Sequence, residues 1–154
     1  MTPWQLRQAF APRALDAIQA EIAASERRHA GQIRFAVEGS LPRIGLLRQQ
    51  SARERALEVF SLLRVWDTEQ NNGVLVYLLL ADRDVEIVAD RGIHARVGAG
   101  EWERICHAME EAFRHGRFEQ GALEGIRAVT RLMVEHFPAS AGRDNELPDR
   151  PVVL

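Results

Sequence analysis

The stretch that decides the fold reads NNGVLVYLLLADRDVEIVADRGIH and runs from residue 71 to residue 94. Its apolar residues continue without a break from Val74 to Ala81, which is too short to cross a bilayer and typical of a strand buried on both faces. A second apolar run, 85–89, is interrupted by Glu86 alone. The polar turn 82–84 joins the two runs, so the stretch predicts a β-hairpin with polar residues at both ends.

Amphipathic elements are predicted on both sides of this hairpin. Four segments repeat apolar residues at intervals of three and four, as helices with one buried face do; they are 12–29, 52–66, the segment between Gly100 and Gly116, and 118–137. In the second of these we expect Leu57, Phe60 and Leu63 to form the buried face, widened by Ala56, Val59 and Leu62. Residues 32–37 alternate polar and apolar side chains, which predicts a strand with one buried face.

The order of these elements predicts the fold class. Helix, strand, helix, strand, strand, helix, helix is the pattern of an α/β protein, here one three-layer α/β/α sandwich with a small mixed sheet containing a central β-hairpin. The strand at 32–37 should pair in parallel with 73–81 across the intervening helix. We place the domain at residues 1–138 and treat 139–154 as a C-terminal tail.

Composition excludes several function classes. The 154 residues are 46% hydrophobic with a net charge of -2, and all 20 basic residues are arginine. A general nucleic-acid binder is therefore not expected, and neither Schiff-base chemistry nor a P-loop lysine is available. The lone Cys106 excludes an internal disulfide and a zinc site built from several cysteines. We expect no integral membrane segment and no secretory signal, and hence a cytoplasmic protein.

Oxygen-bearing side chains gather at one predicted end of the hairpin. Pairing about Arg83 brings Asp90 back toward Asn71, so Asp67, Glu69, Asn71 and Asp90 are predicted to converge at one sheet edge. Such hard ligands suit Ca²⁺ or Mg²⁺. The alternative is a solvated polar loop without a ligand. His94 lies four residues after Asp90 and is expected to be a surface residue.

Asp82 and Asp84 form a second acidic cluster at the other end of the hairpin. Parallel pairing of the first two strands would place them near Glu38, at the carboxyl edge where open α/β sheets bind ligands. Ordinary turn residues explain the same pattern. A nucleophile is poorly supported, because Ser25 and the other serines show no local partner that suggests a catalytic triad.

The hairpin also resembles the TPM domain family, in which a strand opening with Asn-Gly-Val leads through a short acidic turn to a strand ending in Asp-basic-Gly-Ile. The resemblance extends to the helix of Trp102, to Gly121 and Ile126, and to Asn145-Glu146-Leu147-Pro148-Asp149. It is closest to short bacterial members without a signal peptide or membrane anchor. It implies an α/β/α sandwich whose tail packs on the domain.

For function, the resemblance implies divalent cation binding, a weak phosphatase activity found in a plant member, and roles in assembling or repairing membrane complexes. It carries no shared catalytic mechanism. The resulting hypothesis is a noncatalytic cytoplasmic domain that binds Ca²⁺ or Mg²⁺ weakly and engages an unknown protein partner. A slow metal-dependent phosphatase is the alternative hypothesis, and the oligomeric state stays open.

Overall fold

A mixed four-stranded sheet forms the middle layer of the protein. The computed structural model describes residues 1–139 and 145–154. The strand order is β3-β2-β1-β4, and the strands are β1 Gln32–Glu38, β2 Gly73–Leu79, β3 Asp84–Ala89 and β4 Val152–Val153. β1 pairs in parallel with β2 and β4, whereas β2 and β3 form the antiparallel hairpin. The predicted mixed sheet, the parallel pairing and the hairpin are confirmed, with β2 in the interior and β3 at the sheet edge. β2 ends at Leu79 rather than at residue 81, because residues 80–82 form a 3-10 turn, and the hairpin pairs Leu79 with Asp84 rather than about Arg83.

Helices cover both faces of this sheet, as the sequence predicts. They are α1 Pro3–Ala9, α2 Pro12–Glu26, α3 Arg43–Leu47, α4 Ala52–Leu62, α5 Arg91–His94, α6 Ala99–Arg114 and α7 Phe118–His136. α2, α6 and α7 form one outer layer and α4 the other. No helix within 1–139 or 145–154 has the length and apolarity that crossing a bilayer requires.

The larger core lies between the sheet and the layer of α2, α6 and α7. Leu15, Ile18 and Ile22 of α2 are buried there, as predicted. The predicted face of α6 is buried as well, and it consists of Trp102, Ile105, Met109 and Phe113. Phe10, just after α1, packs its ring 6.0 Å from that of Phe35 and 6.5 Å from that of Phe113. α1 is thereby fixed to this core, although none of its own residues is buried.

The predicted buried face of α4 is confirmed at Ala56 and Val59 and wrong at Leu57 and Leu62. Its buried residues are Ala52, Ala56 and Val59, whereas Leu57 and Leu62 are exposed. Phe60 and Leu63 are partly buried at the margin of the second core. Small side chains let this helix approach the sheet closely, so the buried stripe follows size rather than hydrophobicity. The helix also ends at Leu62 rather than at residue 66.

Strand β1 is buried on both faces, contrary to the half-exposed strand that its alternation predicts. All seven residues are buried, including Gln32, Arg34 and Glu38. The segment 145–154 accounts for much of this burial, because the Gln32 side-chain oxygen accepts the backbone N–H groups of Glu146 and Leu147. Arg34 donates to the carbonyl oxygens of residues 148 and 150 at 2.7 and 3.1 Å. Residues 140–144 of the predicted tail lie outside the described residues.

Candidate functional site

The loop between α4 and β2 and the residues after β3 meet at the amino end of the parallel strands. The backbone N–H of Asp90 donates to the Gly73 carbonyl at 2.9 Å, and that of Gly92 donates to the Asn71 carbonyl at 3.0 Å. Asn71 has a left-handed backbone with φ of 52°. A Cβ on Gly73 would collide with the Val65 carbonyl oxygen. Glycine is therefore required where the loop enters β2.

Of the four predicted ligands, Asp67 and Glu69 lie on the exposed part of this loop. The Asp67 carboxylate forms an ion pair with Arg64 at 2.9 Å. The backbone N–H of Glu69 donates to the Glu146 carboxylate at 2.9 Å, which ties the loop to the segment 145–154. Both side chains point into solvent-exposed surroundings.

Asp90 is held differently, because its side chain caps the amino terminus of α5. One carboxylate oxygen, Oδ1, accepts the backbone N–H of Arg91 at 2.8 Å. The other, Oδ2, is buried and has no hydrogen-bond partner in the part of the chain that the structure describes. An unpaired buried carboxylate oxygen costs free energy unless a proton, water or cation reaches it.

Backbone oxygens line the same junction. A Cβ on Gly92 would lie 2.5 Å from the Asn71 carbonyl oxygen and 2.8 Å from that of Gln70. Two carbonyl oxygens thus face a residue that has no side chain to cover them, two positions after Asp90. Carboxylate and carbonyl oxygens are the donors that Ca²⁺ and Mg²⁺ take, with waters completing the shell. This donor set fits a hard cation.

The structure thus brings two of the four predicted residues together. Asn71 and Asp90 share the junction, whereas no group of three or more His, Cys, Asp or Glu side chains within 1–139 and 145–154 is placed to hold a metal ion. Asp67, Glu69 and Asp90 therefore do not form a ready-made carboxylate cage. A cation at the junction would rely on Asp90, on backbone carbonyl oxygens and on water.

The second predicted cluster, at the hairpin turn, also separates. Asp82 is exposed, and Asp84 is partly buried at the start of β3. Burial, together with the hydrogen bond and charge of the neighbouring Glu110 carboxyl, raises the pKa of Asp84 to about 6. Glu110 accepts the backbone N–H of Val85 at 3.1 Å. The two carboxyl groups therefore form a pair that retains a proton more readily than isolated carboxyl groups do.

Glu38 does not contact the pair of Asp84 and Glu110, although it lies at the same end of the strands. The register places it opposite Leu79, which in turn pairs with Asp84, so the two acids are two strands apart. Arg55 binds the Glu38 carboxylate through two nitrogens at 2.8 and 3.0 Å, and the Tyr77 hydroxyl donates to it at 2.7 Å. Glu38 is thus fully engaged in a buried hydrogen-bond network.

A cleft of about 500 Å³ follows the outer edge of β3. α4 and α6 supply the side chains that occupy the open backbone groups of this strand: Arg53 donates to the Ile87 carbonyl at 2.7 Å, and Glu110 accepts from Val85. His94 and Cys106 line the cleft. Burial raises the pKa of the Cys106 thiol to about 12, so it is not a thiolate nucleophile at neutral pH.

Ser25 does have a local partner, contrary to the sequence prediction. Its hydroxyl lies 2.9 Å from Nε2 of His29 and 2.6 Å from the hydroxyl of Thr130, which donates to the Ile126 carbonyl at 2.7 Å. The four-residue spacing of Ser25 and His29 near the end of α2 was the signal that could have revealed the pair. Both are buried, His29 with no exposed surface. This chain of hydrogen bonds therefore links α2 to α7 in the protein interior and is not accessible to a substrate.

Several solved structures have a fold similar to that of this chain. The NMR structure of BA42 from the psychrophilic bacterium Bizionia argentinensis matches with a TM-score of 0.80 and 28% identity, over 92% of each chain. The N-terminal domain of a protein from P. gingivalis matches with a TM-score of 0.67 and 21% identity, over 82% of this chain and 78% of that one. The N-terminal domain of cg2496 from Corynebacterium glutamicum matches at 0.54 and 13%, over 87% and 78%. The last two show the fold alone.

The sequence comparisons agree with this structural likeness. No curated protein sequence gives a significant match. The family profile described as the TPM domain matches residues 6–132, a range that includes the hairpin, the loop before it and most of α7. The chain belongs to the TPM domain family.

Proposed function

We propose that the protein is a noncatalytic cytoplasmic binding module that takes up Ca²⁺ or Mg²⁺ weakly where the loop 67–71 meets Asp90, and that this loop engages a protein partner. The unpaired, buried Oδ2 atom of Asp90 is the observation that carries the proposal. A cation there would neutralise a carboxylate that lacks a hydrogen-bond donor on that oxygen and would join the loop to β3. The carbonyl oxygens of Gln70 and Asn71, which face Gly92, are candidates for further ligands.

Weak binding follows from the number of charged donors. Asp90 supplies one carboxylate to the junction, and sites with few carboxylates on a loop bind Ca²⁺ with dissociation constants of roughly 0.1 to 1 mM. Asp67 and Glu69 come just before Gln70 and Asn71 on the same loop, and both are solvent-exposed. They contribute if the loop tightens around the cation, although Asp67 would have to leave Arg64.

The partner surface is supported by apolar side chains next to the same loop. Leu62 ends α4 with 65% of its surface exposed, and Trp66 is exposed to 47%. The Arg64 guanidinium lies 5.4 Å from the centroid of the Trp66 ring. Exposed aromatic and arginine side chains are enriched at protein interfaces. A cation that orders the loop would therefore also order a surface suited to protein contact.

A metal titration followed residue by residue by NMR tests the site. We expect shifts centred on residues 70–72 and 90–92 for the wild type, and their loss in Asp90→Asn, which keeps the shape but removes the charge. Asp84→Asn is the matched control at the other sheet edge and should titrate as the wild type does. Shifts centred on Asp82 and Asp84, or no binding at millimolar metal, would contradict the assignment.

The same variants test the alternative of a slow metal-dependent phosphatase. We expect negligible turnover of generic phosphate esters, because a bound cation alone does not supply an ordered nucleophile and contacts to the transition state. The assay compares wild type, Asp67→Asn and Asp90→Asn with and without chelator. Robust turnover by the wild type, lost in either folded variant, would establish the hydrolase instead.

A further inference from the structure

Helix α3 directs almost all of its side chains outward. Of its five residues only Gly45 is buried, and Ile44, Leu46 and Leu47 are exposed to 56%, 58% and 78%. Each such side chain forgoes part of the stabilisation that full burial would supply. Three of them on one short helix differ from the single exposed leucines that are normal on a protein surface, and such clusters mark contact surfaces.

Helix α1 lies at the same edge of the molecule. A Cβ on Gly39, the residue that follows β1, would be 3.8 Å from Leu6 of α1 and 3.8 Å from Met1. α1 exposes Trp4 to 66%. Two elements with exposed apolar side chains therefore lie beyond the carboxyl ends of β1 and β2.

The exposed charges on α1, α3 and the hairpin turn are mostly positive. Arg7 of α1, Arg43 and Arg48 of α3, and Arg83 of the hairpin turn are exposed, and none forms an ion pair within the described ranges. Asp82 is the exposed acid on the same elements. The stretch 39–53 contains no Asp or Glu, in a chain whose net charge is -2. The exposed charge of α1, α3 and the hairpin turn is thus mostly basic.

We propose that this edge, formed by α1, α3 and the hairpin turn, docks on a bilayer surface that contains anionic lipids. Ile44, Leu46 and Leu47 enter the boundary between headgroups and acyl chains, and the four arginines face lipid phosphates. Exposed apolar side chains flanked by arginines are the two signals that interfacial binding combines. Trp4 adds a side chain that favours the membrane interface.

The arrangement of the side chains favours a lipid surface over a protein. Arg43, Leu46 and Leu47 share one face of α3 at spacings of three and four, and Ile44 widens that face to roughly half of the helix circumference. A fluid headgroup layer can surround such a protruding turn, whereas a folded protein would need a matching cavity. The four arginines, which form no ion pair within the described ranges, also complement a surface of uniform negative charge.

Vesicle flotation of the full chain tests the proposal. We expect binding to phosphatidylcholine vesicles that contain phosphatidylglycerol, no binding to pure phosphatidylcholine, and weakening by salt. Leu46→Ser with Leu47→Ser should weaken binding about tenfold. Arg43→Gln with Arg48→Gln should weaken it about fivefold for each arginine. Chelator is present throughout, and Asp90→Asn should bind vesicles as the wild type does, so this test is separate from that of the cation site.

Leu57→Ser with Leu62→Ser is the matched control, because it removes two exposed leucines of α4 and should leave vesicle binding unchanged. Thermal melts confirm that each variant is folded. Equal binding by the wild type and the Leu46/Leu47 variant would overturn the proposal, as would no binding to anionic vesicles at low salt. A wild-type dimer that this variant dissociates, without vesicle binding, would assign the edge to a second copy and overturn it as well.

Discussion

Buried charges in this protein are held by hydrogen bonds that reach across the sheet. The hydrogen bonds from Arg55 to Glu38 raise the pKa of the guanidinium above its usual value, although burial opposes this. Burial, followed by the hydrogen bond to Glu38, raises the pKa of the Tyr77 phenol. Arg34 differs, because burial lowers its pKa and outweighs the negative charges of Asp149 and Glu26, which raise it. These residues tie β1 to α4, β2 and the segment 145–154, and they are not free to act on a substrate.

The Asp84 and Glu110 pair predicts a stability that depends on pH. Because the pKa of Asp84 is raised to about 6 in the folded state, the native protein holds an extra proton between about pH 4 and pH 6. The free energy of unfolding should therefore fall as the pH rises through this range. In Asp84→Asn the fall should be smaller, and the variant should be more stable than the wild type at pH 7 but not at pH 4.

Urea unfolding at a series of pH values measures this difference. Asp67→Asn, which alters an exposed carboxylate at the other sheet edge, is the control and should leave the difference between pH 4 and pH 7 unchanged. If the free energy of unfolding changed with pH in the same way for wild type and Asp84→Asn, Asp84 would not hold the extra proton in the folded state.

At the scale of elements, the edge strand β3 is protected from pairing with other chains. Arg53, Glu110 and the cleft-lining side chains of α6 occupy its outer side. An open strand edge is a common route to aggregation. The cleft is therefore explained as a covered sheet edge. Its carboxylates and histidines do not require a ligand to account for their positions.

Strand β2 leads to a second prediction, because it is buried between β1 and β3. Leu79 is 1% exposed and pairs with both Glu38 and Asp84. Leu79→Asp would bury a charge between two acidic neighbours, at a cost comparable to the roughly 5–15 kcal/mol by which a typical domain is stable. We expect loss of the cooperative melt seen by circular dichroism. Leu57→Asp on the exposed face of α4 should melt as the wild type does, and an unchanged melt for Leu79→Asp would refute the interior placement.

The same elements show what the sequence could reveal. The hairpin was predictable, because an unbroken apolar run and a polar turn are local signals. Its register was not, since Leu79 pairs with Asp84, whereas pairing about Arg83 would place it opposite residue 87. The burial of Gln32, Arg34 and Glu38 was not, because their partners lie more than 100 residues away or on α4. α1, α3 and α5 were missed since helices of 7, 5 and 4 residues carry too little periodicity.

The candidate site follows the same rule. Asp90 and Asn71 meet because hairpin pairing is local, so their proximity could be predicted. The contact of Asp84 with Glu110 depends on how α6 lies along β3, and the sequence does not indicate which turn of a helix reaches a given strand residue. The paired hydroxyls of Ser25 and Thr130 are 105 residues apart, beyond the reach of any local pattern.

For the whole molecule, the two proposed surfaces lie at opposite ends of the parallel strands. The cation junction is at the amino end of β2, and α3 follows the carboxyl end of β1. A strand of seven residues spans about 23 Å. Docking through α1 and α3 would therefore hold the loop 67–71 away from the lipid and leave it open to a protein partner.

The segment 145–154 gives the last prediction, since it completes the sheet and the second core. β4 pairs with β1, Leu147 is buried against the core of α4, and residues 146–150 form hydrogen bonds with the buried side chains of Gln32 and Arg34. Leu147→Ala should lower the free energy of unfolding by about 2–3 kcal/mol. A chain ending at residue 139 should lose more, because Arg34 would keep its charge without its carbonyl partners. Urea unfolding measures both, with the exposed Val153→Ala as the control. If the shortened chain were as stable as the full one, the segment 145–154 would not contribute to the stability of the domain.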